Sequence, residues 1–181
     1  MKFPTFLGFQ VLTSSEYAEM QQERARLKQD QLILDIKRIP PASLKQLASS
    51  LVGTAEGRSA VYSACPPQTL LVANTSSERY LVNTSDQVIG LETYVYGKAY
   101  ESEKMKKVLS LLPKDHKNRT LIDVGANIGT VGIHSVAQGY FKRCIAFEPE
   151  PRNFRLLKTN VVLNGLEQFF DLHNVALSDS A

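Results

Sequence analysis

The stretch LIDVGANIGT, from Leu121 to Thr130, decides the fold of this chain. An apolar run ends in the acid Asp123, and two glycines, Gly125 and Gly129, then precede a new amphipathic segment. This order is typical of a buried parallel strand that passes into a helix through a tight turn. Such a turn is expected to leave backbone N–H groups free for a ligand.

A second apolar run, Cys144 to Phe147, leads to the acid Glu148. In doubly wound α/β folds, an acid at the end of the second strand binds the hydroxyls of a ribose. Helical patterns follow both runs, the second beginning at Pro151, and a third β-type run extends from Phe169 to Leu177. The sequence therefore predicts a Rossmann-like α/β sheet with a nucleoside site at the carboxyl ends of its strands.

The spacing of the hydrophobic residues changes twice along the chain, between a helical and a strand-like period. With 181 residues, 43% of them hydrophobic, the chain can bury one core and still carry an extension. We therefore expect three regions: an N-terminal helical extension with a connector at 1–68, a β meander with a following helix at 69–112, and a partial Rossmann-like domain at 113–181.

The first two regions can be predicted in outline. A capping-box pattern at Thr13 to Glu16 begins a helix that should run to about Arg38. The connector should hold one short helix at Ser43 to Leu51, and a further helix should follow the meander from Glu103 to Leu112. The four β-type runs of the meander are 70–72, 80–82, 88–90 and 94–96.

Glycine spacing distinguishes the classes of nucleoside ligand. A dinucleotide turn requires G-x-G-x-x-G, but Asn127 and Thr130 occupy two of the three glycine positions counted from Gly125. No Walker lysine follows Gly129, which argues against ATP. The acid-x-G-x-G-x-G pattern of S-adenosylmethionine (SAM) sites fits from Asp123 with only the middle glycine replaced. The spacing therefore favours SAM.

Two acids carry the predicted contacts to SAM. Asp123 should meet the positively charged amino group of the methionine part, and Glu148 should accept hydrogen bonds from both ribose hydroxyls. Structural roles remain open for both, as a helix N-cap and as a charge that leads into a proline. The predicted cofactor-binding residues are Asp123, Gly125, Ala126, Asn127, Gly129, Glu148, Pro149 and Ala176.

Several ordered pieces of sequence occur together between about residues 86 and 179. They are Gly97–Glu101, Ile122–Gly129, Ala146–Pro151, Asn153-Phe154 with Leu157 and Asn160, Leu163-Asn164, and Asn174–Asp179. With these pieces the chain resembles the FkbM family of SAM-dependent methyltransferases. The resemblance implies a class I methyltransferase sheet, SAM as cofactor, and a position for Tyr100 and Glu101 over the cofactor, with a structural turn as the alternative.

The family has a seven-stranded sheet, and this chain supplies the first three core strands. We therefore expect a sheet that is truncated after its third core strand. Its first core strand would keep an unpaired edge unless the meander or another chain covers it. The chain would then be the cofactor half of an enzyme.

The resemblance implies methyl transfer from SAM to a sugar or polyketide-type hydroxyl. The catalytic base is unknown, because His116, His134 and His173 are each expected to be structural or solvated. Two alternatives remain open. One is a non-catalytic SAM-binding or assembly module, and the other is an NAD-dependent oxidoreductase.

The composition indicates which classes of binding partner and which cellular compartment to expect. A net charge of +3 is dispersed, with no basic stripe, which disfavours nucleic acid. No apolar run approaches the length of a membrane span, and Cys65 and Cys144 do not form a disulfide framework, as in cytoplasmic proteins. We expect a small-molecule or glycan hydroxyl acceptor, no nucleic-acid or membrane partner, no metal, and self-association through the open sheet edge or the N-terminal helix as an open alternative.

Overall fold

The computed structural model describes residues 14–38, 40–112 and 119–179. The chain divides into two units, one ending at Ser49 and one beginning at Ser50, and each is described by itself. In the first unit, helix α1 (Ser14–Arg38) confirms the predicted N-terminal helix. No helix among these residues combines the length and the apolar character needed to cross a membrane.

Two helices occupy the region expected to be a connector. Helix α2 (Pro41–Gly53) extends the predicted short helix at both ends, and α3 (Ala55–Ala64) was not predicted. The Thr54 hydroxyl accepts a hydrogen bond from the Gly57 N–H at 3.0 Å, which is the N-cap interaction that begins α3. Tyr62, only 1% exposed, anchors this helix in the core of the second unit.

The predicted meander is an antiparallel hairpin followed by a helix. Strands β1 (Leu70–Asn74) and β2 (Arg79–Asn83) confirm the first two β-type runs. The runs at 88–90 and 94–96 were wrongly predicted as strands, because helix α4 (Ile89–Tyr96) occupies them.

The cause of this error is a capping acid. The Asp86 carboxylate accepts hydrogen bonds from the N–H groups of Val88, Ile89 and Gly90 at 2.9–3.0 Å, and these contacts begin the helix. Gly97, in the left-handed region at φ 61°, ends it. Local capping therefore outweighs the β propensity of the valines and tyrosines here. Helix α5 (Ser102–Ser110) then confirms the last helix predicted for this region.

The remaining residues form the predicted Rossmann-like α/β layer. Strands β3 (Thr120–Val124), β4 (Arg143–Phe147) and β5 (Phe170–His173) are parallel, in that order across the sheet. Helices α6 (Thr130–Ala137) and α7 (Pro151–Leu163) are the crossovers between them. These elements confirm the fold class. Strand β5 ends at His173, earlier than the predicted end at Leu177.

One face of this sheet packs into the core. Cys144 and Ala146 are at most 1% exposed, and the crossover helices contribute Ile133, Leu157 and Val161 to the same core. Tyr62, Ala73, Tyr80 and Val82 also belong to it, so the hairpin and the sheet share one core. The predicted domain boundaries at 68 and 112 stay predictions.

On the other face of the sheet, the side chains of β3 are exposed within the described ranges. Ile122 and Val124, which alternate with the core-facing residues of β3, are 62% and 60% exposed. Strands β3 and β5 are the two edges of this sheet, and the hairpin forms a separate sheet.

Candidate functional site

The residues between β3 and α6, Gly125 to Gly129, form a turn that we call the glycine turn. Gly125 has φ 79° and Gly129 has φ 90°, which are conformations that favour glycine. Gly129 also has no room for a side chain, because a Cβ there would lie 2.6 Å from the Leu157 Cδ1 atom and 2.9 Å from the Ile133 Cδ1 atom. Backbone geometry and packing against α7 therefore both explain this glycine.

Asn127 stands at the middle glycine position of the SAM pattern and adopts a backbone conformation that glycine favours. Its φ of 51° lies in the left-handed region, which asparagine tolerates better than most residues do. Its side-chain oxygen accepts a hydrogen bond from the Ile128 N–H at 2.8 Å. The departure from the glycine pattern is therefore compatible with the same turn.

The backbone donors of the glycine turn are already occupied. The Gly125 and Ala126 N–H groups both donate to the Phe147 carbonyl, at 2.8 and 3.0 Å. The Asn127 N–H donates to Glu148, and the Gly129 N–H donates to the Ala126 carbonyl at 2.8 Å. With the Ile128 bond, all five are paired within the protein. The expectation of free N–H groups at this turn is therefore wrong, and the turn is not a phosphate cradle.

Glu148 holds the glycine turn against the segment that follows β4. It is only 5% exposed. One carboxylate oxygen accepts a hydrogen bond from the Asn127 N–H at 2.8 Å, and the other accepts one from the Glu150 N–H at 2.9 Å. Each oxygen keeps a second lone pair, so the carboxylate can still accept a hydrogen bond from a ligand hydroxyl.

Asp123 presents an unsatisfied acceptor beside this turn. Its Oδ2 atom is buried and has no hydrogen-bond partner among the described residues. Burial raises the pKa of Asp123. A hydrogen bond from the Gly132 backbone to the carboxylate opposes this shift, and the negative charge of Glu148 adds to it. Gly132 also makes room for the carboxylate, since a Cβ there would lie 3.2 Å from the Asp123 Oδ2 atom.

Two of the predicted residues lie outside the turn. Pro149 is exposed, and its carbonyl accepts a hydrogen bond from the Asn174 side-chain amide at 3.2 Å. The same amide donates to the Glu148 carbonyl at 2.8 Å, so Asn174 holds the segment after β5 close to the end of β4. Ala176 is exposed in that segment. The buried Ala126 contributes its side chain to the core, so only its backbone belongs to the turn.

The histidines make structural contacts where they are described. The His134 Nδ1 atom lies 2.9 Å from the Glu78 Oε1 atom, and Nδ1 must carry the proton because a carboxylate only accepts. The His173 ring stacks on Phe147 with centroids 4.9 Å apart. His116 lies outside the described residues.

Tyr100 and Glu101 precede α5. Glu101 has φ 60°, and its carboxylate accepts a hydrogen bond from the Lys104 ammonium at 2.6 Å. Both residues line an open cavity of about 500 Å³ with Tyr96 and Ala99. These contacts describe the structural turn that was the alternative interpretation, and a position over the cofactor stays a prediction.

A buried acid in the hairpin was missed by the sequence analysis. Glu78, 3% exposed, lies between β1 and β2, and its carboxylate binds four side chains. Burial raises its pKa, but the hydrogen bonds outweigh this effect and hold the pKa at about 2. The four partners are Thr75 (2.6 Å), Ser77 (3.0 Å), His134 (2.9 Å) and Gln138 (2.8 Å). A lone glutamate in a serine-rich turn gives no sequence signal for such a network.

No family model and no curated protein matches the chain, whereas solved structures do. TYW2 from P. horikoshii, in complex with MeSAdo, is 19% identical at a TM-score of 0.43, over 62% of this chain and 38% of that chain. TYW2 from M. jannaschii, in complex with AdoMet, is 16% identical at 0.43, over 61% and 46%. The M. jannaschii tRNA m1G37 methyltransferase is 20% identical at 0.43, over 62% and 31%. The chain thus spans less than half the length of each.

The exclusion of a nucleic-acid partner is corrected by these comparisons. It rested on the dispersed charge of the chain, whereas one of the proteins with a similar fold is a tRNA methyltransferase. A dispersed charge over 181 residues is therefore no ground for excluding nucleic acid. The small-molecule or glycan acceptor that was expected with this exclusion has no support among these structures.

Proposed function

We propose that the glycine turn, with Asp123 and Glu148 on either side, binds SAM, and that this chain is the cofactor-binding part of a methyltransferase. One observation carries the proposal. All five N–H groups of the turn are occupied, while the Asp123 Oδ2 atom is buried without a donor. The site therefore offers a ligand carboxylate acceptors and negative charge rather than free backbone donors.

These acceptors and this negative charge suit SAM better than the phosphate-bearing nucleotides. A pyrophosphate brings only acceptors and negative charge, and it needs free backbone N–H groups at a helix N-terminus. The amino group of SAM brings a positive charge and three donors. Placed beside the Asp123 carboxylate, it would offset the repulsion between this carboxylate and Glu148. An NAD-dependent oxidoreductase is disfavoured on the same ground.

Glu148 supports the ribose assignment through its remaining lone pairs. The two backbone hydrogen bonds fix the carboxylate, so a ribose would meet an acceptor that is already oriented. A charge-assisted hydrogen bond from a hydroxyl is stronger than a neutral one. Pro149 and Ala176 stay proposed neighbours of the nucleoside.

Methyl transfer from SAM is a displacement in which the acceptor attacks the methyl group and the positive charge on sulfur disappears. The bond between sulfur and the methyl carbon would break and S-adenosylhomocysteine would leave. The residues described here would bind and orient the donor, and alignment of the two reactants supplies much of such catalysis. A sugar or polyketide-type hydroxyl as the acceptor is what the FkbM resemblance implies. That family assignment stays a prediction.

Calorimetric titration tests the proposal. S-adenosylhomocysteine (SAH) is the stable analogue of the cofactor, and NADH represents the dinucleotides that an oxidoreductase would bind. We expect SAH to bind at least weakly and NADH to show no binding at the same concentrations. Binding of NADH without SAH would indicate a dinucleotide site, and binding of neither would reject the nucleoside site. SAH binding without methyl transfer to any acceptor, tRNA included, would favour the non-catalytic module.

A further inference from the structure

We propose that Asn160 is a positioning residue that holds the glycine turn in its ligand-binding conformation. This inference rests on the SAM site proposed above. Asn160 is an interior residue of α7 and is 0% exposed. It touches neither predicted acid, yet it connects the turn to the hairpin.

The outer edge of β2 explains why α7 carries asparagines. Tyr80 and Val82 form the hydrogen-bonded pairs with β1, so the N–H and C=O groups of Arg79 and Leu81 point away from β1. An edge with unpaired backbone groups is a liability for a buried strand. The edge must find its partners elsewhere.

Two asparagines four residues apart satisfy this edge: Asn160 within α7 and Asn164 at its C-cap. Asn164 accepts a hydrogen bond from the Arg79 N–H at 2.9 Å and donates to the Arg79 carbonyl at 2.7 Å. Asn160 accepts one from the Leu81 N–H at 2.6 Å and donates to the Leu81 carbonyl at 3.2 Å. Residues i and i+4 lie on one face of a helix, so each side-chain amide acts as a peptide group of an added strand.

Asn160 differs from Asn164 in its remaining donor. The Asn160 amide also donates to the Ile128 carbonyl at 2.9 Å, and Ile128 lies within the glycine turn. The corresponding donor of Asn164 goes to the Asn160 carbonyl on its own helix, at 2.8 Å. Only the first asparagine therefore connects β2 to the turn, and the second is a matched control.

The loss of this contact should loosen the turn. Without the Asn160 amide, the Ile128 carbonyl is left buried without this donor, and an unsatisfied buried polar group favours local rearrangement. Both flanking residues, Asn127 and Gly129, are held at positive φ. We expect the turn to relax while the sheet stays intact.

Amide hydrogen exchange in the ligand-free full chain tests this inference without reference to SAH. In Asn160→Ala we expect the N–H groups of Asn127 and Gly129 to exchange at least tenfold faster, whereas the Ile145 N–H in β4 keeps its rate. Asn164→Ala should leave the turn amides unchanged. Equal acceleration in both variants, or none in Asn160→Ala, would overturn the positioning role.

Two further measurements keep the test decisive if Asn160→Ala does not fold. Asn160→Asp keeps an acceptor for the Leu81 N–H but loses the amide donors, so the same local acceleration is expected. In the wild-type protein, the side-chain amide protons of Asn160 should exchange more slowly than those of Asn164. Equal side-chain exchange rates would contradict the buried contact to Ile128.

SAH affinity then separates this inference from the proposed function. We expect Asn160→Asp to bind SAH at least tenfold more weakly and Asn164→Ala to bind it within threefold of wild type. If wild type binds SAH and Asn160→Asp binds it equally well, the positioning role fails and the SAM site stands. If wild type does not bind SAH, the proposed function fails. The exchange data then test only whether the Asn160 amide holds the glycine turn through the Ile128 carbonyl.

Discussion

Glu78 and Asp123 are two buried carboxylates in one core, and they have opposite surroundings. Glu78, in the hairpin turn, is bound by four side chains, and these hydrogen bonds outweigh burial and lower its pKa to about 2. Asp123, at the end of β3, has an orphaned oxygen, and burial raises its pKa.

The difference teaches where to look for function. A buried acid that is bound by four side chains of the protein stabilises the fold, and here it connects the hairpin to α6 through His134. A buried acid with an unpaired oxygen weakens the fold, which is typical of a group kept for binding or catalysis. Glu78 therefore has a structural role, and Asp123 is a candidate binding group.

The largest expected effect comes from removing the satisfied acid. Glu78→Ala should lower the free energy of unfolding by about 3 kcal/mol, because His134, Gln138 and Thr75 lose their common acceptor. Chemical denaturation measures this change. Glu103→Gln, which removes one member of an exposed ion pair with Lys106, is the control and should have no measurable effect. A loss below 1 kcal/mol in Glu78→Ala would break the comparison.

Lowering the pH should remove the stability that the hydrogen bonds of Glu78 contribute to the wild-type protein. The folded pKa of Glu78, about 2, lies below its usual value, so its contribution is fully present above about pH 4.5 and is lost as the pH falls toward 2. We expect this group to account for about 2–3 kcal/mol of the stability lost over that window. The difference between wild-type and Glu78→Ala unfolding curves at several pH values measures it, and a difference that does not change with pH would contradict the assignment.

Glu148 should affect binding by an intermediate amount. Glu148→Ala is expected to weaken SAH binding tenfold or more, about 1.4 kcal/mol, because it removes both the ribose acceptor and the anchor of the Asn127 N–H. Glu150→Gln is the matched control, since it changes a neighbouring charge that caps α7 without contacting the turn. Unchanged SAH affinity in Glu148→Ala, measured by titration calorimetry below the unfolding temperature, would contradict the assigned role.

The smallest expected effect is on the stability of the ligand-free protein when Asp123 is changed. A folded pKa raised above its unfolded value means that stability is lost as the pH rises through the folded pKa. The charge of Asp123 therefore does not stabilise the fold, and Asp123→Asn should keep the wild-type Tm within about 3 °C. A fall in Tm as large as that of Glu78→Ala would show that both acids are architectural.

The sequence predicted the part of the fold that local patterns determine. Strands β3 and β4 and helix α7 follow from apolar period, from Pro151 at the helix start and from the glycines of the turn. Helix α4 was missed because Asp86, outside the β-type run, supplies its cap.

The contacts that hold the site together were not predictable in the same way. Asn160 reaches Leu81, and Glu78 reaches His134, across more than fifty residues of sequence. Spacing identified Asp123 and Glu148 as neighbours of one turn, but it could not show that the N–H groups between them are already paired. That feature decides which ligand suits the site, and it depends on the register of β3 against β4.

The pH dependence of SAH binding to wild type and to Asp123→Asn tests the proposed site most directly. Asp171→Asn is the control, because Asp171 is an exposed carboxylate of β5 whose Oδ1 atom lies 3.3 Å from the His173 Nε2 atom. A bound amino group should favour the ionised form of Asp123, so wild-type affinity should be highest near pH 7 and should fall as acid protonates this carboxylate. We expect Asp123→Asn to bind SAH at least tenfold more weakly at pH 7 and its affinity to fall less steeply in acid. Equal affinity and an equal pH profile in wild type and Asp123→Asn would contradict the proposed site.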